Sequence, residues 1–193
     1  ESGKTVAEEA VTVDVIDCCL EKQSLIHTCW YHADCICNYY GVEAMSDEFW
    51  RINKNFIKTA VEHGINCILT PVFTPPLDTK IGGERRTVQL VGVKKHGKSY
   101  TFNFTNLQKW VDMCLDCGVE YFEISHLFTQ WGAKHAPKVI ATVNGEKKRI
   151  FGWETDASSK EYREFLGALI PAIIKELASV GIDKKHIVFH ASD

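Results

Sequence analysis

No apolar run in this 193-residue chain approaches the roughly 18 residues that a membrane-spanning helix needs. No basic stretch followed by an apolar core marks a secretory leader. Neither sign of charge dominates: 22 basic side chains face 25 acidic ones, for a net charge of -3. The chain therefore lacks the basic footprint of a nucleic-acid binder. No Gly-rich phosphate loop follows any expected strand, which argues against a doubly wound nucleotide-binding domain of similar length. Cysteine is scattered rather than dense: Cys18, Cys19, Cys29, Cys35, Cys37, Cys67, Cys114 and Cys117 do not resemble the compact disulfide frameworks of small secreted proteins. Several of them lie in apolar patterns, where Cys acts as a small buried hydrophobe. The expectation is free thiols and a reducing, cytoplasmic compartment. Cys114-x-x-Cys117 has the spacing of half a zinc or redox site, but no second such pair accompanies it.

What is present is a globular balance, 45% apolar and 24% charged. The chain begins at Glu1 without Met and stops on Asp193 without a closing helix, so both ends read as cuts in a longer protein. Three places share one pattern, in which a helical stretch ends in Gly and leads through a β-branched residue into an apolar strand. They are His63-Gly64-Ile65 before Cys67-Ile68-Leu69, Cys117-Gly118-Val119 before Tyr121-Phe122-Glu123-Ile124, and Val180-Gly181-Ile182 before Ile187-Val188-Phe189. Gly just past a helix end takes the left-handed conformation cheaply. Repeated helix–Gly–strand units indicate α/β architecture with parallel strands.

The helices have clear signatures. One starts after Ser46 with its apolar stripe at Phe49, Ile52, Phe56, Ile57, Ala60 and Val61; a second runs from about Asn106 to Cys117. A third opens with a Ser158-x-x-Glu161 capping box and continues to Leu177, with a kink or a fresh start expected at Pro171. Ser24 to Tyr31 reads as the first strand, which gives four strands joined by three helices. The alternating Val11-Thr12-Val13-Asp14-Val15-Ile16 reads as a further strand. Residues 1–23 are thus expected to end a preceding β-sandwich domain or to form a linker. Residues 24–193 are expected to form the N-terminal half of a TIM barrel, the first half of a (β/α)8 fold.

Loops entering strands are tiny, whereas those leaving strands are long. Two of them read as hairpins: Thr87–Val91 against Tyr100–Phe104, and Val139–Val143 turning at Asn144-Gly145 into Arg149–Phe151. Ligands of parallel α/β folds sit at the carboxyl ends of the strands. Those ends carry Trp30-Tyr31-His32-Ala33-Asp34, Thr70 to Pro76, Ser125-His126 to Trp131, and His190-Ala191-Ser192-Asp193. Indoles stack on sugar faces while His and Asp bond hydroxyls. His27, His63, His96 and His186 read as ordinary structural residues, and Glu146-Lys147-Lys148-Arg149 as a solvated hairpin face. A metal set of His32, Asp34, Cys35 and Cys37 is conceivable, although Cys35-x-Cys37 is a poor zinc spacing.

Ile65 to Thr79, Tyr121 to Ala133, and Ile150-Phe151-Gly152-Trp153-Glu154-Thr155-Asp156 together resemble the barrel domain of glycoside hydrolase family 123. The likeness extends from about Ser24 to Asp193. Characterised members are β-N-acetylgalactosaminidases with a β-sandwich before the barrel. Their catalytic pair is an Asp-Glu dipeptide at the end of the fourth strand, where family-20 hexosaminidases also carry one. The resemblance makes Asp193 the first member of that pair, with a Glu expected to follow in the full-length protein. It implies a retaining, substrate-assisted reaction: the 2-acetamido oxygen attacks the anomeric carbon, Asp193 orients the acetamido group, and the Glu serves as acid and then base. Strand-end position and resemblance together nominate His32, Asp34, His126, Trp131, Trp153, Glu154 and His190 as the sugar-binding residues. A glycan is the expected partner, with no cofactor and no resident metal, and the open sheet edges of half a barrel are expected to self-associate. Two other readings stay open, a non-catalytic glycan-binding barrel and a metal-dependent hydrolase using His and Cys ligands.

Overall fold

The computed structural model describes residues 3–19, 21, 24–77, 79–130 and 132–190. Asp193 and Trp131 lie outside these described residues. Three parallel strands form the central sheet in the order β1 (Cys67–Thr70), β4 (Tyr121–Ile124), β7 (Ile187–Phe189). Each is fed by a helix that ends two positions before a glycine in the left-handed region: α2 (Asp47–Glu62) before Gly64 (φ 84°), α3 (Thr105–Asp116) before Gly118 (φ 93°), and α4 (Lys160–Ser179) before Gly181 (φ 86°). The positive φ reverses the chain without a Cβ penalty, so the repeated glycines do set the α/β alternation. Ser46 caps α2, its hydroxyl accepting from the Phe49 N–H at 3.2 Å.

Ile68, Phe122 and Ile124 share one buried cluster with Phe49 and Ile57 of α2, Leu107, Trp110 and Val111 of α3, and Phe165, Leu169 and Ile173 of α4. The helices thus cover one face of the sheet. Strand side chains alternate, so Cys67, Leu69 and Glu123 project from the opposite face. All three are nonetheless buried.

Several expectations are corrected. The stretch from Ser24 to Tyr31 forms no ladder; only Thr28 bridges Cys67, in parallel. The reason is Asn66, whose carboxamide accepts from the His27 N–H at 2.7 Å and donates to the Leu25 carbonyl at 2.9 Å. A side chain thereby takes the place of ladder bonds, and the expected four parallel strands become three plus one bridge. The following loop folds into a short helix, α1 (Ala33–Tyr40), closed by Gly41 at φ 65°. Helix α4 is capped by Ser159 rather than Ser158; Ser158 bonds Asp156 instead. It runs through Pro171 without a fresh start, held to the core by Tyr162, Phe165, Leu169, Ile173 and Leu177. Val11–Ile16 joins no strand among the described residues, and its valines and Ile16 are exposed.

The second hairpin forms as expected, β5 (Val139–Val143) against β6 (Glu146–Phe151), with Asn144 and Gly145 both at positive φ. In the first, β2 (Gly92–His96) pairs β3 (Ser99–Asn103), so its leading arm starts beyond Val91. The Thr87–Val91 run is used elsewhere: the Leu90 and Val91 N–H groups donate to the carbonyls of Pro71 and Val72. β2 and β5 then pair in parallel, which joins the two hairpins into one four-stranded sheet, β3-β2-β5-β6.

Candidate active site

Among the described residues of the strands, one carboxylate lies on the face of the parallel sheet away from the helices. Glu123, on central strand β4, is 2% exposed and is met by two hydrogen-bond donors and a histidine. Trp30 donates its indole N–H to Oε2 at 2.8 Å, and Thr28 donates its hydroxyl to the same oxygen at 3.0 Å. His190 brings Nδ1 to 3.3 Å from Oε1. An acceptor-only group suits these neighbours, none of which brings a competing carboxylate or carbonyl oxygen. His126, at 1% exposure, completes the cluster: its ring stands edge-on to Trp30, centroids 5.0 Å apart, and 4.2 Å from that of His190. Trp30 anchors its N–H here while much of its indole remains exposed, the arrangement of a stacking surface. Contributions from the first extended segment, β4, the loop after β4 and the end of β7 thus converge at the carboxyl side of the sheet. Asp193 follows His190 by three positions.

Glu123 and Trp30 are absent from the residues nominated by sequence. Trp30 stands on the expected rim. Glu123 carries a fainter signal, a lone carboxylate in the four-residue strand YFEI, which a period-two reading assigns to solvent.

The other nominated residues gather elsewhere. Asp34, buried on α1, engages Arg85 through both carboxylate oxygens, at 2.8 and 2.9 Å. Arg85 also donates to the Leu77 carbonyl at 2.5 Å. His32, at the N-terminus of α1, lines the same cleft of about 520 Å³, together with Lys80 and Arg86. Trp153 donates its N–H to the Gly83 carbonyl at 2.9 Å, and exposed Glu154 pairs with Arg149 at 3.3 Å. Glu84 is held below the usual carboxylate range, first by its hydrogen bond from Lys138 and then by Arg149. His126 and His190 therefore stand together, and His32, Asp34, Trp153 and Glu154 surround residues 83–85. Glu146 to Arg149 lie exposed on β6, as expected of a solvated hairpin face.

Among the described residues, no group of three or more His, Cys, Asp or Glu side chains is placed to hold a metal ion. No described helix is long and apolar enough to cross a membrane. All eight cysteines are free thiols. Burial, and then the Glu123 carboxylate, pushes the Cys67 thiol up to about 11. Because the thiolate is the reactive form, iodoacetamide at about pH 8 is expected to label exposed Cys35 and spare Cys67, with Cys67 labelling rising only as pH nears about 11. Peptide mass mapping checks this, and equal labelling at about pH 8 would contradict a buried face around Glu123.

The family model described as glycoside hydrolase 123, catalytic domain, matches residues 30–193. The chain is also similar to a solved structure, a family 123 glycoside hydrolase from Clostridium perfringens described in a study of glycolipid glycan hydrolysis, with TM-score 0.60 and 10% sequence identity over 85% of this chain. At that identity the likeness is one of fold. The chain spans 28% of the length of that protein. No curated protein sequence matches it.

Proposed function

Because the chain belongs to the glycoside hydrolase 123 catalytic-domain family, we propose that the full-length protein is a glycosidase that removes terminal β-linked N-acetylgalactosamine with retention of configuration. The observation that carries this reading is the convergence of Trp30, Glu123, His126 and His190 at the carboxyl side of the parallel sheet, with His190 three positions before Asp193 in sequence. In this reading residues 24–193 are the first half of a (β/α)8 barrel that the rest of the protein closes, and residues 1–23 lead in from a preceding β-rich domain.

The chemistry proceeds without an enzyme nucleophile. The acetamido oxygen of the substrate attacks C1 from the face opposite the leaving oxygen and expels it, and water then opens the resulting oxazolinium ion from the face that the leaving oxygen vacated, restoring the original configuration. Asp193 accepts the acetamido N–H and stabilises the positive charge that develops. In this reading a Glu next to Asp193 protonates the leaving group and then deprotonates water; such acid–base help contributes roughly 10²–10⁴-fold. Trp30 and Trp131 supply apolar surface for the sugar ring, and His126 and His190 supply hydrogen bonds to its hydroxyls. His32, Trp153 and Glu154, around residues 83–85, contact the glycan in this reading. Asp34 acts on the substrate only through Arg85, which it holds.

The test is nitrophenol release by the full-length protein from the β-N-acetylgalactosaminide and the β-N-acetylglucosaminide. Galacto-selective turnover is expected. A folded protein that binds the sugar and turns over neither compound would instead be a glycan-binding barrel.

A further inference from the structure

We propose that Glu123 is a positioning residue that fixes the tautomer of His190, so that Nε2 becomes the acceptor nitrogen of that ring for a hydroxyl of the bound sugar. The proposal rests on the glycosidase reading of the site. A carboxylate has only acceptors, and at 3.3 Å from Oε1 an unprotonated Nδ1 would set lone pair against lone pair, so the ring proton belongs on Nδ1. In a neutral imidazole the other nitrogen can then only accept.

The carboxylate cannot turn to offer anything else. Its second oxygen is held by Trp30 at 2.8 Å and Thr28 at 3.0 Å, and the group sits on the central strand of the sheet. The ring of His190 is confined in turn, 5.3 Å from Trp30 and 4.2 Å from His126 between centroids. A role confined to packing would be served as well by the amide isostere. What only the carboxylate enforces is a proton on Nδ1.

Glu123→Gln separates the two roles. The Gln carbonyl can still accept from Trp30 and Thr28, and the volume is unchanged. Its NH₂ then faces His190, turns Nδ1 into an acceptor and moves the ring proton to Nε2. The experiment uses full-length protein carrying ¹⁵N-histidine, with the His190 signals identified by their loss in His190→Asn, recorded on the neutral imidazole reached by raising the pH. The expected result is an Nδ1–H pattern in the wild type and an Nε2–H pattern in Glu123→Gln. On the β-N-acetylgalactosaminide, kcat/KM is expected to fall on the order of 10²-fold, less than the ~10⁴-fold that a wrong tautomer costs a general base. An Nε2–H pattern in the wild type would overturn the proposal without recourse to any variant, and so would a Glu123→Gln enzyme within about twofold of wild-type kcat/KM. If the wild type turns over neither sugar, the glycosidase reading fails. The tautomer pattern alone then decides whether Glu123 positions His190.

Discussion

Asp193→Ala in the full-length protein is expected to lower kcat on the β-N-acetylgalactosaminide by at least about 10²-fold, with the fold intact. In the proposed reaction the nucleophile belongs to the substrate, and it is useful only when its oxygen lies against C1. Asp193 supplies that orientation through the acetamido N–H and stabilises the charge that appears as the oxazolinium forms. Both effects grow toward the transition state, so kcat should fall more than KM rises. Removing a single preorganised electrostatic contact of this kind typically costs about 10²–10³-fold. Steady-state kinetics on wild type and variant, with circular dichroism on both, measures the effect. Wild-type kcat in the Ala variant would remove Asp193 from the chemistry and leave the acetamido group without its orienting partner.

The second large effect is on stability. Asp34→Ala is expected to destabilise the domain by about 3–5 kcal/mol, because it leaves a largely buried guanidinium without its counter-charge. Side-chain exposure is 2% for Asp34 and 12% for Arg85, so water entering from the cleft replaces the lost carboxylate poorly. Replacing both residues with apolar ones of similar volume should recover most of the loss, since the desolvation cost disappears with the pair. Urea unfolding of the two single variants and the double variant gives the coupling directly. If Asp34 were instead a direct sugar ligand, its removal would raise KM and leave the unfolding midpoint where it was.

Much of the architecture can be read from the residues because it rests on local rules. Gly64, Gly118 and Gly181 occupy the left-handed positions that their sequence pattern implies, and Asn144-Gly145 turns the second hairpin. The errors arise where tertiary partners outbid local preference. Thr87–Val91 has the apolar character of a hairpin arm, yet Val88, Leu90 and Val91 are drawn into the core beside Pro71 and Val72. The ladder then begins at Gly92, where a Cβ would come within 3.2 Å of the Asn103 Cβ. Likewise, nothing in Ser24–Tyr31 itself reveals that Asn66, thirty-nine residues beyond His27, takes over its hydrogen bonds. The site divides in the same way. His126 and His190 were visible as polar residues at strand ends. Glu123 was hidden because its burial depends on Thr28, Trp30 and His190, none of them near it in sequence except through the fold.

The parallel pairing of β2 with β5 has a consequence for motion. The two hairpins belong to the segments that leave β1 and β4 and border the carboxyl side of the central sheet. Taken singly, each would be a surface excursion able to lift away at little cost. With Val93, Lys94 and Lys95 in register with Ala141, Thr142 and Val143, neither can separate without breaking the β2–β5 pairing that they share. They constitute one cooperative unit, and the carboxyl side of the central sheet is bordered by a single four-stranded sheet instead of two independent loops.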